Sequence, residues 1–245
     1  MEFEHKVAMI TGAAVGIGRA CALKLAEEGA SLLLLDYNAA SLGELKKDLA
    51  PYADRVRYAV CDVSSEDAVN RAVREGEEQF GKIDILINNA ALWRDCAAFV
   101  DLTDADWEKY LGINVMGVVH CTRAVLPGMM ARHYGRVVNV SSVAGIYGKW
   151  HMVHYSATKG AVISLTQALA KEMTEYGVLV NCVSPGSVSP SENRDVNFSN
   201  ETPLSYMRRS GTDRENAELI VFLCSDRATY IAGQNIAIDG CRKML

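Results

Sequence analysis

A tyrosine and a lysine four residues apart, in Tyr155-Ser-Ala-Thr-Lys159, are the side chains of this sequence best suited by type and spacing to move a proton. On a helix they stand at i and i+4, on one face, with Cβ atoms about 5–6 Å apart. A free phenol has a pKa near 10 and is a poor base at neutral pH. An ammonium about 4–5 Å away favours the phenolate by roughly 4 kcal/mol at an effective dielectric near 20. That is close to three pKa units, enough for general acid or base work at physiological pH. The same spacing also occurs on ordinary surface turns, so the pair needs a setting.

The elements around it supply one. Val7-Ala-Met-Ile10 reads as a buried strand, and Thr11-Gly-Ala-Ala-Val-Gly-Ile-Gly18 turns from it into a helical pattern ending near Glu28-Gly29. Glycines at 12, 16 and 18 let a backbone approach a pyrophosphate, and the helix N-terminus offers N–H donors and a positive dipole end. Ser31-Leu-Leu-Leu-Leu35 is a second strand, closed by Asp36, 24 residues past Gly12. A carboxylate there accepts from both ribose hydroxyls of an adenosine and repels a 2′-phosphate. Tyr37, Asn38 and Ala39 follow and no arginine adjoins, which favours NAD over NADP.

A helix over about 40–50 leads to a third strand, Val56–Val60, then Cys61-Asp62-Val63. Asp62 has two readings: contact with an adenine edge, or cap of the helix that starts after Ser64. Ile83–Ile87 is a fourth strand before Asn88-Asn89-Ala90-Ala91, and Arg136–Val140 a fifth before Ser141-Ser142. A long helix is expected after Thr103-Asp-Ala-Asp106, running past Asn114 towards Ala131. Strands alternating with helices at this spacing predict an α/β fold with a parallel sheet and right-handed crossovers. Such sheets bind ligands at the carboxyl ends of their strands, where Gly12, Asp36, Asp62 and Asn88 all fall. Ser142 ends a strand thirteen residues before Tyr155, so both hydroxyls can face one crevice. A donor there stabilises a carbonyl oxygen that gains charge as hydride arrives; the alternative for Ser142 is a turn or cap hydroxyl. Asn114 is a mediocre helix former, and its plain alternative is a satisfied core amide.

The Thr11–Gly18 motif, Asn88-Asn89-Ala90, Asn114, Ser142 and Tyr155-x-x-x-Lys159 resemble the short-chain dehydrogenase/reductase family in order and spacing. Pro185-Gly186 after a sixth strand (Val178–Val183), and Ser225-Asp226 through Asp239-Gly240, extend the likeness over nearly the whole chain. The resemblance implies a single Rossmann-type domain over 1–245: a doubly wound seven-stranded parallel sheet with helices on both faces, in a tetramer or dimer. It implies catalytic roles: Tyr155 exchanges the proton, Ser142 orients the substrate oxygen, Lys159 holds the nicotinamide ribose and lowers the phenol's pKa, and Asn114 holds a water linking Lys159 to solvent. It implies a cofactor set of Gly12, Val15, Gly16, Ile17 and Gly18 in the first turn and Asp36, Asp62 and Val63 at the adenosine end. Asn89, Ala90, Tyr155, Lys159, Pro185, Gly186 and Val188 complete that set around the nicotinamide. Three positions depart from the family pattern: Ala91 where glycine is usual, Pro190 where a threonine often follows Pro185-Gly186, and Cys241 in place of the second glycine of Asp-Gly-Gly. Ser187, Ser189 and Ser191 are candidates for that threonine's part.

Ser142 and Tyr155 also belong to the expected substrate pocket, with Trp93, Trp150 and His151 as walls and Arg94, Tyr147, Lys149 and His154 beside them. A Ser- and Asn-rich stretch over about 187–209 is expected to close as a lid. Two tryptophans suit a flat or cyclic substrate, or else pack on a neighbouring subunit. His151 and His154 lack a third ligand for a metal, so none is expected. Net charge −5 argues against nucleic acid or an anionic membrane surface. The N-terminus lacks a signal peptide's features, no run is long enough to span a bilayer, and seven scattered cysteines suit a cytoplasmic protein. The leading expectation is an NAD-dependent dehydrogenase of a secondary alcohol, with cyclic alcohols, hydroxysteroids and sugars as candidate substrates. A 3-oxoacyl-acyl-carrier-protein reductase is the alternative; Asp36 opposes the NADPH such enzymes commonly use, and Lys171-Glu172 with Glu175 dilutes the basic landing patch a carrier needs, although Arg132, His133 and Arg136 are nearby. A non-catalytic dinucleotide-binding regulator is the third. The long helices near 104–131 and 152–175 are expected to pack against a second subunit, because the apolar positions Val115, Val118, Val119, Val162 and Leu165 exceed what one sheet face needs.

Overall fold

Successive residues of a strand point to opposite faces of a sheet, and here both faces are apolar, the pattern of a parallel sheet covered on two sides. The computed structural model describes residues 1–189 and 204–243. Seven parallel strands form one sheet: β1 (Val7–Thr11), β2 (Ser31–Asp36), β3 (Val56–Val60), β4 (Ile85–Asn88), β5 (Gly135–Val140), β6 (Val178–Pro185) and β9 (Asn235–Ile238), ordered β3-β2-β1-β4-β5-β6-β9. A separate parallel pair joins β7 (Val188–Ser189) to β8 (Gly211–Thr212). The order reverses between β1 and β4, which opens the crevice where doubly wound sheets hold ligands.

Ala8, Ile10, Leu32, Leu34, Ile85 and Ile87 point to one face, where α1 (Gly16–Glu27), α2 (Ala39–Asp48) and α8 (Asp213–Cys224) cover them. Met9, Leu33, Leu35, Leu86 and Val137 point to the other, under α3 (Glu66–Phe80), α5 (Gly117–Ala131) and α7 (Val153–Met173). The expected long helix is α4 (Asp104–Leu111) running into α5 through a π-helical turn, Gly112–Met116. Thr103 and Asp106 cap its start reciprocally.

Two readings narrow here. Ser65, not Asp62, caps α3, its hydroxyl accepting from Ala68 N–H at 3.3 Å. Asp62 instead closes a turn on Ser64, accepting from its N–H at 2.9 Å and its hydroxyl at 2.8 Å. Val118 and Val162, expected to face a second subunit, are buried with Cys182 inside this one; Val115, Val119 and Leu165 are half-buried. The helix pair needed those two valines for its own packing.

Candidate active site

The reacting groups sit where β5 ends and α7 begins. The Ser142 hydroxyl follows β5 and accepts from Ala144 N–H at 3.1 Å, which leaves its own proton to donate. Tyr155 lies in the first turn of α7, half-buried. Burial pushes its phenol above the ordinary value, and the Ser142 hydroxyl beside it pulls it part of the way back. Two close approaches fix the loop against the helix: Ser141 Oγ donates to the Lys159 carbonyl at 2.7 Å, and a Cβ on Gly145 would meet the Lys159 carbonyl carbon at 2.6 Å. Only glycine fits there. Sequence reading passed over Gly145, which carries no motif.

Lys159 stands one turn below Tyr155 and is 3 % exposed. Its Nζ donates to the Val140 carbonyl at 2.7 Å and lies 5.8 Å from the centre of the Tyr155 ring. Burial lowers the ammonium's pKa to about 8. The helical spacing therefore places the pair on one face as expected. The cation donates to the strand end and is itself partly discharged by burial.

Asn114, 1 % exposed, sits in the π-helical turn, a distortion often found at functional sites. Its Oδ1 accepts from Leu92 N–H at 2.7 Å, and its Nδ2 donates to the Leu92 carbonyl at 2.9 Å and to Thr158 Oγ1 at 3.0 Å. Thr158 in turn donates to the Tyr155 carbonyl at 2.8 Å. The amide thus clamps the loop after β4 to the helix that carries Tyr155. Thr158 was missed; a polar side chain three residues after Tyr155 on a buried helix face was its one signal.

The dinucleotide side of the crevice tests well against the residues present. Asp36 is buried at the end of β2; Oδ2 accepts from Ala14 N–H and Oδ1 from Asn38 N–H, each at 3.0 Å. A carboxylate has about four acceptor positions, so capacity for two ribose hydroxyls remains. The glycines divide their work. A Cβ on Gly12 would meet Ala90 Cα at 2.8 Å, and one on Gly18 would collide with the Gly12 carbonyl, so both serve loop packing. Gly16 has φ +58° and its nearest neighbour to such an atom is Asp213 Oδ1 at 3.7 Å, so it is the one bordering open space. Val15 precedes α1 without a capping side chain, which leaves the first N–H groups free for an anion. Ile17 packs into the core beneath. These features fit a nicotinamide dinucleotide.

Thr11 ties the crevice together: its Oγ1 accepts from Asn89 N–H at 3.0 Å and Ala90 N–H at 3.1 Å. Asn89 Nδ2 donates to the Gly12 carbonyl at 2.9 Å. Asp62 and buried Val63 follow β3 at the same edge. The Pro185 carbonyl accepts from Val143 N–H at 3.0 Å, Gly186 lies against Asp239, and Val188 begins β7.

The substrate walls are unequal. Trp93 is 54 % and Trp150 86 % exposed, and Trp150 meets His151 edge-on at 3.6 Å. The His151 carbonyl accepts from Ala97 N–H at 2.9 Å, which joins the loop after β4 to the start of α7. His154 is no pocket wall: it is fully buried, its ring packed 3.9 Å from that of Tyr110. The helical turn that brings Tyr155 to the crevice turns its neighbour into the core. Among the described residues no group of His, Cys, Asp and Glu could hold a metal. Pro190, Ser191 and most of the expected lid lie outside the described residues; Ser187 accepts from Gly211 N–H at 2.9 Å through its carbonyl. The basic residues near the fifth strand lie away from the crevice. Arg132 donates to the Ile83 carbonyl at 2.6 Å, and Arg136, 5 % exposed, pairs with Asp226 at 3.1 Å. Both lie at the amino ends of the strands, opposite the crevice. Cys241 has φ 59°, a left-handed conformation that suits the glycine usual in its place.

A family model described as short chain dehydrogenase matches residues 6–201. A 3-oxoacyl-acyl-carrier-protein reductase of Thermotoga maritima is 38% identical over 243 residues, covering 98% of each chain. The fold superposes on NAD+-bound xylitol dehydrogenase with a TM-score of 0.88 at 34% identity, covering 98% of this chain and 100% of that one. Levodione reductase gives 0.87 at 34% identity, with 97% of each chain covered.

Proposed function

The chain belongs to the short chain dehydrogenase family of oxidoreductases acting on CH–OH groups, and from that premise we propose an NAD(H)-dependent enzyme that interconverts a secondary alcohol and a ketone. The Ser142 hydroxyl, placed beside the Tyr155 phenol at the end of β5, carries this reading. Two hydroxyls side by side at the crevice can share one substrate oxygen. In oxidation Tyr155 takes the alcohol proton while Ser142 donates to the same oxygen and fixes its position. In reduction Tyr155 returns the proton. A bound nicotinamide would accept the hydride from the carbinol carbon. Lys159, partly discharged by burial, gains a reason to stay charged when ribose hydroxyls reach it; Asn114 keeps Leu92 and α7 in register around it.

Asp36 supports NAD over NADP, because its buried carboxylate would face a 2′-phosphate. The expected outcome is tighter binding of NADH than NADPH by fluorescence titration, with Asp36→Ala narrowing the gap. Equal or tighter NADPH binding in the parent protein refutes it. The likeness to the Thermotoga maritima reductase favours a second reading, reduction of a 3-oxoacyl thioester. Asp36 and the placement of Arg132 and Arg136 weigh against it. A turnover screen of both cofactors against neutral secondary alcohols, ketones and an acetoacetyl thioester separates the two.

A further inference from the structure

The helix that follows Asn114 also reaches the adenosine end of the crevice. Gly117, His120 and Arg123 of α5 stand three residues apart, along one face of the helix. All three meet the short segment between β3 and α3. A Cβ on Gly117 would stand 2.7 Å from Val63 Cγ2 and 3.2 Å from Val63 Cβ, so the helix backbone rests directly on that side chain. His120 Nδ1 lies 3.0 Å from the Val63 carbonyl oxygen. Facing a carbonyl, that nitrogen carries a proton and donates it. Arg123 pairs with Glu66 at 2.8 Å in the first turn of α3, an exposed contact of little energetic weight. Gly117, His120 and Val63 are all buried, so the hold is made inside the protein. Leucine at 120 would be the better helix former and would bring no polar atom to satisfy. Packing alone does not call for an imidazole there.

The segment they hold lies beside Asp36. β3 runs along β2 with Val60 opposite Asp36, and Cys61 N–H donates to the Asp36 carbonyl at 2.9 Å. A ribose taken by the Asp36 carboxylate puts its base next to the residues that follow β3. Asp62 folds back there on Ser64, and its carbonyl accepts from Ser65 N–H at 3.1 Å. Val63 gives its carbonyl to His120, while its N–H has no partner among the described residues. One polar group of that backbone is anchored to α5, and the other is left for a ligand.

We propose that His120 is a positioning residue for the dinucleotide: its bond to the Val63 carbonyl, with Gly117 against the Val63 side chain, fixes the Asp62–Val63 turn where the adenine lands. The inference rests on the reading of the crevice as a dinucleotide site, and its test needs no turnover. ADP-ribose, which carries adenine, ribose and pyrophosphate without nicotinamide, is titrated calorimetrically into the full chain and three variants, at a temperature where melts show each folded. His120→Leu is expected to weaken ADP-ribose about fivefold, the worth of one buried hydrogen bond. His120→Asn, whose amide nitrogen takes the place of Nδ1, keeps the affinity within about twofold of the parent, less than half the loss expected of leucine. Helix propensity ranks the two the other way, leucine above asparagine, so a merely structural residue does not give this order. Gly117→Ala presses Val63 from the same helix and weakens ADP-ribose too, although alanine is the better helix former. Parental affinity in His120→Leu or Gly117→Ala, or a fall in His120→Asn as large as in His120→Leu, overturns this inference and leaves the cofactor reading standing. A parent protein that binds no ADP-ribose overturns the cofactor reading, and this inference with it.

Discussion

The two edges of the same sheet treat charge in opposite ways. At the amino edge charges are paired: Asp84 takes Lys82 at 3.0 Å and Val7 N–H at 3.0 Å, and Asp226 takes Lys6 at 3.5 Å and Arg136 at 3.1 Å. At the carboxyl edge the buried charges have only dipoles among the described residues. Asp36 accepts from backbone N–H groups, and Lys159 donates to a backbone carbonyl. Ion pairs neutralise a charge and finish with it; a charge held by dipoles keeps its field for something that arrives later. One edge is finished, and the other is prepared.

That contrast breaks most visibly at Tyr155. Tyr155→Phe deletes one hydroxyl and leaves the ring to pack, so the melting temperature and NADH affinity should hold. The turnover number should fall at least about 10²–10⁴-fold, the usual worth of general acid–base catalysis. Near-parental turnover would move the proton transfer to another group, His151 first. Asp84→Ala is the converse. It strips a buried acceptor from Val7 N–H, Lys82 and Arg132 and should cost about 3 kcal/mol in urea unfolding. The kcat of the folded variant should stay as it was, and a large fall would mean that the two edges are coupled.

Lys159 sharpens the contrast through pH. Its pKa is about 8 in the folded protein against roughly 10.4 in an unfolded chain. Below pH 8 the folded protein carries the full cost of a buried ammonium. Between the two values the unfolded chain binds more protons, so stability rises with pH and then levels off. Relative to Lys159→Met, the cofactor-free protein should gain on the order of 2 kcal/mol from pH 7.5 to pH 10.5. A pH-independent difference in urea midpoints would show that the lysine is not discharged by folding. The smallest effect is at Cys241, where Cys241→Gly should relieve the left-handed backbone and raise stability by about 0.5–1 kcal/mol. Thermal melts check it, and a loss of stability would mean that the thiol packs usefully.

Much of this was legible because the relevant signals are local. Alternating apolar runs and helical patterns place six strands within two residues of where they stand, since strand and helix periods are properties of the chain itself. The seventh strand came only with the family resemblance, because Asn235-Ile-Ala-Ile238 is a short, partly exposed run at the sheet edge without the all-apolar pattern of the buried strands. Tyr155 and Lys159 share a helix face for the same local reason. What each of them touches is not local. The direction of Lys159 depends on the Val140 carbonyl from a strand 19 residues earlier, and the burial of His154 depends on Tyr110 from another helix. Arg132 and Arg136 read as a surface patch until the sheet assigns them to the edge away from the crevice. The sequence by itself determined the elements, their order and which residue types end each strand, because those follow from steric periods and turn chemistry. Only the tertiary structure decided which charges are paired, which hydroxyls meet and which proton-binding groups are desolvated, because those depend on distances between segments that the chain brings together last.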